Sequence, residues 1–126
     1  MIAADTSTWI AFLGGNDGTD VQLLASALSD HSVAMTPAVL AELLSDPVLP
    51  ASTVSMLCDL PLMSPAAGYW ERAGRLRAKV RARKRKARLA DALIAQSCID
   101  SETSLITRDR DFRAFAEAAG LNIAAG

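Results

Sequence analysis

The sequence predicts an α/β fold built on a parallel sheet flanked by helices. Short apolar runs alternate with segments of helical spacing, the pattern of strand–crossover–strand units. Several acids follow or face those runs, and open parallel sheets bind ligands beyond the carboxyl ends of their strands. The 126 residues suit a single domain, 1–126, with no internal repeat and no linker, and are enough to bury a core without disulfides.

The elements follow in order. Residues 2–4 are an apolar run ending at an acid and read as a strand. Thr6 to Leu13 reads as a helix closed by Gly14-Gly15, which supply the left-handed exit that helix ends use. Val21 to Leu28 has helical spacing, and Ser32 to Met35 is a second short strand. Thr36-Pro37 starts a helix running to about Ser45, because Thr caps and Pro is tolerated at the first helical position. Pro47 and Pro50 make a break, and Ser52 to Leu60 is helical again. Leu62-Met63, between Pro61 and Pro65, reads as an edge strand. Ala66 to about Arg81 is a helix of growing basic character, and Arg81 to Arg88 is a dense basic loop. Leu89 to about Asp100 is a helix, Leu105-Ile106-Thr107 a strand, Asp111 to Ala119 a helix ended by Gly120, and Leu121 to Ile123 a last strand.

Composition removes several function classes. No apolar run reaches the roughly 20 residues of a membrane helix, and Met1-Ile2-Ala3-Ala4 meets Asp5 without the basic residues of a secretory leader. A cytoplasmic protein is expected. Cys58 and Cys98 sit among apolar neighbours, outside any CxxC, and read as buried hydrophobes. With one histidine, His31 in a loop, zinc chemistry is poorly served. The net charge of −1 hides an asymmetry: all 13 basic residues lie between Arg72 and Arg113. Such segregation makes a face that attracts anions, nucleic acid first. The run Arg81, Arg83, Lys84, Arg85, Lys86 and Arg88 is the candidate RNA-binding segment; its alternative is a solvated surface. Few aromatics are available for base stacking, and Trp9, Tyr69, Trp70, Phe12, Phe112 and Phe115 suit the core or a dimer.

Five acids stand out. Asp5 ends the first strand, as ligand or helix cap. Glu42 is the lone ionisable group in Pro37 to Leu44, aligned with Ala38 and Val39; on an apolar stripe it needs a partner or a metal, and at the helix edge it needs neither. Asp91 shares a face with Ile94, Ala95 and Cys98, but also sits in a first turn, where the helix dipole favours negative charge. Asp109 and Asp111 follow a strand; one can cap the next helix, and Asp109 is the nearer to the strand end. Oxygen-only ligands of this kind suit Mg²⁺, or Mn²⁺ as its substitute.

Taken together, Asp5-Thr6-Ser7, Glu42 after a short strand, Leu89-Ala90-Asp91-Ala92-Leu93-Ile94-Ala95 and Leu105-Ile106-Thr107-Arg108-Asp109-Arg110-Asp111-Phe112 resemble the motifs of PIN-domain ribonucleases, VapC-type toxins of type II toxin–antitoxin systems in particular. The resemblance spans essentially the whole chain. It implies a PIN-like three-layer α/β/α sandwich with a central parallel sheet and metal-dependent endoribonuclease activity. By position it implies Asp5, Glu42, Asp91 and Asp109 as metal-binding acids, Asp111 as an accessory acid, and Ser7 and Thr107 as polar residues shaping the pocket. It further implies an RNA substrate, a cognate antitoxin and a homodimer. The non-enzyme alternative is an inactive RNA- or protein-binding module on the same fold. A haloacid-dehalogenase-type phosphatase needs a second Asp where Ser7 stands, and a phospho-receiver domain needs a Lys after a late strand.

Overall fold

The computed structural model describes residues 1–124. Two regular strands, β1 (Ile2–Ala4) and β2 (Ser104–Ile106), pair in parallel with Ala4 opposite Ile106. Single parallel bridges widen the pair: Ile2 to Val33, Met35 to Leu62 and Leu105 to Ile123. The extended runs expected at 32–35, 62–63 and 121–123 thus join the layer by one or two bridges each. They are too short for regular strands, since Thr36-Pro37 starts a helix straight after Met35 and Pro61 has no N–H to donate. The result is an α/β fold with a small parallel sheet and a large helical share.

Among the described residues seven helices surround it: α1 (Thr6–Leu13), α2 (Thr19–Ser29), α3 (Pro37–Leu44), α4 (Ala51–Asp59), α5 (Tyr69–Ala82), α6 (Leu89–Asp100) and α7 (Phe112–Ala119). Local chemistry explains their ends. Asp5 caps α1 by accepting the Thr8 N–H, and Thr36 caps α3 with Pro37 in its first turn. Gly15 and Gly120 take the left-handed backbone (both φ +73°) that glycine adopts without strain, just beyond α1 and α7. Helix α5 extends through Arg81 and Ala82, so the basic loop begins at Arg83. Helix α7 begins at Phe112, with Asp111 just outside it.

α5 lies against α6 and is tied to it by polar links: Arg72 pairs with Asp100 and the Tyr69 hydroxyl donates to the Leu93 carbonyl (2.7 Å), while Arg77 donates to the Ala87 carbonyl (2.9 Å) in the loop before α6. The core gathers Trp9, Leu24, Met35, Val39, Leu57, Val80, Ile94, Leu105, Phe112 and Phe115, with β1 and β2 in its midst. Phe115 is fully buried, so Phe115→Ala is expected to lower stability by about 3–5 kcal/mol through lost burial and a residual cavity; urea unfolding reads this as a lower midpoint. Cys98 is buried as expected, but Cys58 is exposed. Its helix, α4, buries only Leu57, so apolar sequence neighbours misreport the face that Cys58 occupies. Among the described residues no helix is long and apolar enough to cross a membrane.

Candidate metal centre

The parallel pairing of β1 and β2 ends the two strands side by side, and the Asp5 N–H continues the ladder by donating to the Ile106 carbonyl (3.0 Å). The turns after both strands therefore meet. Asp5 is buried, and its carboxylate accepts from the Ser7 hydroxyl (2.8 and 2.9 Å to the two oxygens), the Thr8 N–H (3.0 Å) and the Thr107 hydroxyl (2.6 Å). Burial raises its pKa above the usual carboxylate value, and those donors, Thr107 foremost, hold it back. Cap and pocket residue are thus one and the same carboxylate.

Thr107 does double duty. Its hydroxyl donates to Asp5 and accepts the Asp109 N–H (2.9 Å), which fixes the turn after β2 to the turn after β1. Asp109 Oδ1 accepts the Asp111 N–H (2.9 Å). Asp111 occupies the cap position of α7 without a side-chain cap bond, and its carboxylate lies 3.5 Å from Lys86. The acid nearer the strand end is therefore the one that braces the turn.

Asp91 reaches the same place from the first turn of α6. It is 8% exposed, and its Oδ2 is fully buried without a hydrogen-bond partner. Its pKa is pushed up to about 6, first by burial and next by the charge of Asp109; Arg88 opposes the shift, while Glu42 and Asp111 add to it. Asp91, Asp109 and Asp111 each offer an oxygen within 4.8 Å of the others. Glu42, from α3, sits on the exposed edge of its helix, and its Oε1 accepts the Thr6 hydroxyl (2.6 Å). It nevertheless borders a cleft of about 190 Å³ together with Asp5, Ser7, Asp91, Asp109 and Arg88. The four acids named as metal-binding from sequence line one cleft; Asp111 joins Asp91 and Asp109 at its side.

This arrangement fits a divalent cation. Two carboxylates about 4 Å apart repel by roughly 4 kcal/mol at an effective dielectric of 20. A buried carboxylate oxygen with no donor is costly unless something positive meets it. The donors are all hard oxygens, which suit Mg²⁺ or Mn²⁺. Thr107 supports the arrangement without being a carboxylate. Thr107→Val is expected to weaken Mn²⁺ binding by about 10–100-fold, as loss of residues that orient metal ligands commonly does, with little change in secondary structure; calorimetric titration checks it.

A second network, unseen in the sequence reading, braces the first. The Thr8 hydroxyl donates to Asp20 (2.9 Å), and Asp20 pairs with Arg108 (2.8 Å), whose guanidinium also reaches the Asp17 carbonyl (3.0 Å). The Arg108 hydrogen bonds, the main cause, hold the Asp20 carboxyl below its ordinary pKa. Gly18, at φ +152°, is needed for this approach: a Cβ there would lie 2.5 Å from Asp20 Oδ1 and 2.8 Å from the Arg108 guanidinium.

The basic segment is only partly available to a ligand. Arg85 pairs with Glu117 (3.0 Å) and Lys86 with Asp111, whereas Arg88 borders the acidic cleft. Arg81, Arg83 and Lys84 are exposed.

A family model described as PIN domain matches residues 2–118. No curated protein matches the chain.

Proposed function

As the chain belongs to the PIN domain family, a nuclease family whose members generally hydrolyse phosphodiesters, we propose that it is a Mg²⁺- or Mn²⁺-dependent endoribonuclease. The observation that carries this is Asp91: a buried carboxylate with an unpartnered oxygen, facing Asp109 and Asp111 across less than 5 Å. Asp5, Glu42, Asp91 and Asp109 are the metal-holding acids, Asp111 an accessory, and Ser7 and Thr107 shape the pocket through their hydrogen bonds to Asp5. The frame is the three-layer α/β/α sandwich of the family, with β1, β2 and their bridges as its middle layer. By its motifs the protein acts in the cytoplasm as the toxin of a toxin–antitoxin pair, as a homodimer held in check by a cognate antitoxin.

Asp5, Glu42, Asp91 and Asp109 would hold a divalent ion, which would lower the pKa of water and neutralise charge on the phosphate. The chain's own groups do the rest. Asp5, held by three donors from Ser7, Thr8 and Thr107, cannot swing away. Asp91 and Asp109 converge on the same space from a helix turn and a strand end. Glu42 lines the same cleft, with Oε1 taken by the Thr6 hydroxyl and Oε2 left for the ion. Arg88 places positive charge where the phosphate enters.

The test is cleavage of RNA by the purified protein. Cleavage with Mg²⁺ or Mn²⁺ is expected, with none in EDTA and none for an Asp5→Ala, Asp91→Ala variant that stays folded. Cleavage that survives in the variant would count against the assignment.

A further inference from the structure

A second cleft opens on the far side of Asp109. It is about 220 Å³ in volume, and its polar walls are Thr107, Arg108, Asp109, Arg110 and Arg113, closed by the chain at 123–124. Three arginines therefore meet one carboxylate. Arg108 is already committed to Asp20 and Asp17. Arg110 and Arg113 are exposed, and among the described residues no hydrogen bond or ion pair occupies either guanidinium. Their backbones are linked, the Arg113 N–H donating to the Arg110 carbonyl (3.1 Å), which places the two side chains at the start of α7. Asp109 borders this cleft and the metal cleft alike, so the two are adjacent.

We infer that this cleft is a phosphate subsite, in which Arg110 and Arg113 hold a phosphate neighbouring the scissile one in a single-stranded RNA. Two guanidinium forks, each able to give parallel N–H bonds to one phosphate, suit that ligand, and the cleft shares Asp109 with the acidic cleft where the scissile phosphate would sit. Arg108 forms the fixed floor, since Asp20 already neutralises it. Arg88 lies on the metal cleft, so a strand crossing that cleft meets positive charge at Arg88 and again beyond Asp109. The term scissile rests on the nuclease reading; the anion site does not.

The experiment is fluorescence anisotropy of a labelled short single-stranded RNA in EDTA, over a range of NaCl concentrations, with steady-state cleavage in Mg²⁺ alongside. Wild type is compared with Arg110→Gln, Arg113→Gln and with Arg81→Gln, Arg83→Gln, which removes the same charge from exposed residues that line neither cleft. The 110/113 variant is expected to bind about tenfold more weakly. The slope of log K against log salt should flatten by about 0.7–1.4, one or two phosphate contacts. In cleavage its KM rises with kcat unchanged, the mark of lost ground-state binding. An Arg113→Glu variant should weaken binding further. Unchanged binding and KM, or an equal loss in the 81/83 variant, overturns the subsite. RNA binding that depends on Arg110 and Arg113 in a protein that cleaves nothing would overturn the nuclease reading and leave the subsite standing.

Discussion

Asp91→Asn is expected to lower metal-dependent RNA cleavage by about 10²–10⁴-fold, the several kcal/mol of charge stabilisation that metal catalysis supplies, while the metal-free protein keeps or gains stability. Asn has nearly the shape of Asp but cannot add negative charge beside Asp109 and Asp111. The same residue sets a pH dependence. Its pKa rises from 3.8 to about 6 on folding, so between those values the folded chain holds a proton that the unfolded chain has released. Stability contributed by that proton is fully present below the unfolded value and is lost as pH rises through the folded one. Screening by solvent reduces the effect to about 1–2 kcal/mol. Burial raises Asp5 in the same direction. Urea unfolding in EDTA is therefore expected to show wild type weakening from about pH 4 to pH 6 and above, and Asp91→Asn weakening less, as the share of Asp91 is gone. Equal slopes would remove Asp91 from the account.

Saturating Mg²⁺ or Mn²⁺ is expected to raise the melting temperature at neutral pH by about 10 °C. Ligand at a hundredfold excess over its Kd adds about 2.7 kcal/mol, and a domain of this size gains several degrees per kcal/mol. The cause is a change of sign: carboxylates that repel across less than 5 Å come to share a cation. EDTA should reverse the shift, and Asp91→Asn should blunt it. Thr107→Val is expected to need more metal for the same rise, because it moves Asp5 and Asp109 without removing either charge.

The acids were legible in the sequence because each is tied to a local backbone feature. Asp5 and Asp109 follow strands that pair in parallel, and Asp91 opens a helix whose remaining face is apolar. Periodicity and strand ends carry such information over a few residues. Glu42 was legible as a helix residue, but its burial was not. The apolar stripe beside it turns inward at Val39 and Leu43, and Glu42 itself lies at the exposed edge.

What escaped the sequence depends on distance along the chain. Asp20 and Arg108 are 88 residues apart, and only the packing of α2 beside β2 brings them together. Asp20 in a helix's first turn has an ordinary local explanation, so nothing marks it. Gly18 gave the one local hint, a glycine just ahead of a helix where a cap is usual. Arg110 and Arg113 carry no local mark beside the denser run at 81–88, part of which the fold uses for ion pairs with α7 and its cap. Strand length was overestimated for a related reason. Apolar runs of three or four residues mark where the chain is extended, but a ladder also needs a partner over the same length, and the helix start at Thr36-Pro37 and the flanking Pro61 curtail it.

On the proposed function, the carboxylates of the cleft hold a divalent ion. Calorimetric titration of Mn²⁺ into wild type and Asp91→Asn tests it most directly, since it needs no knowledge of the RNA. Saturable binding by wild type, with affinity lost in the variant and in Asp5→Ala, is the expected result. No saturable binding by a folded wild-type protein, or binding unchanged by either substitution, would contradict it.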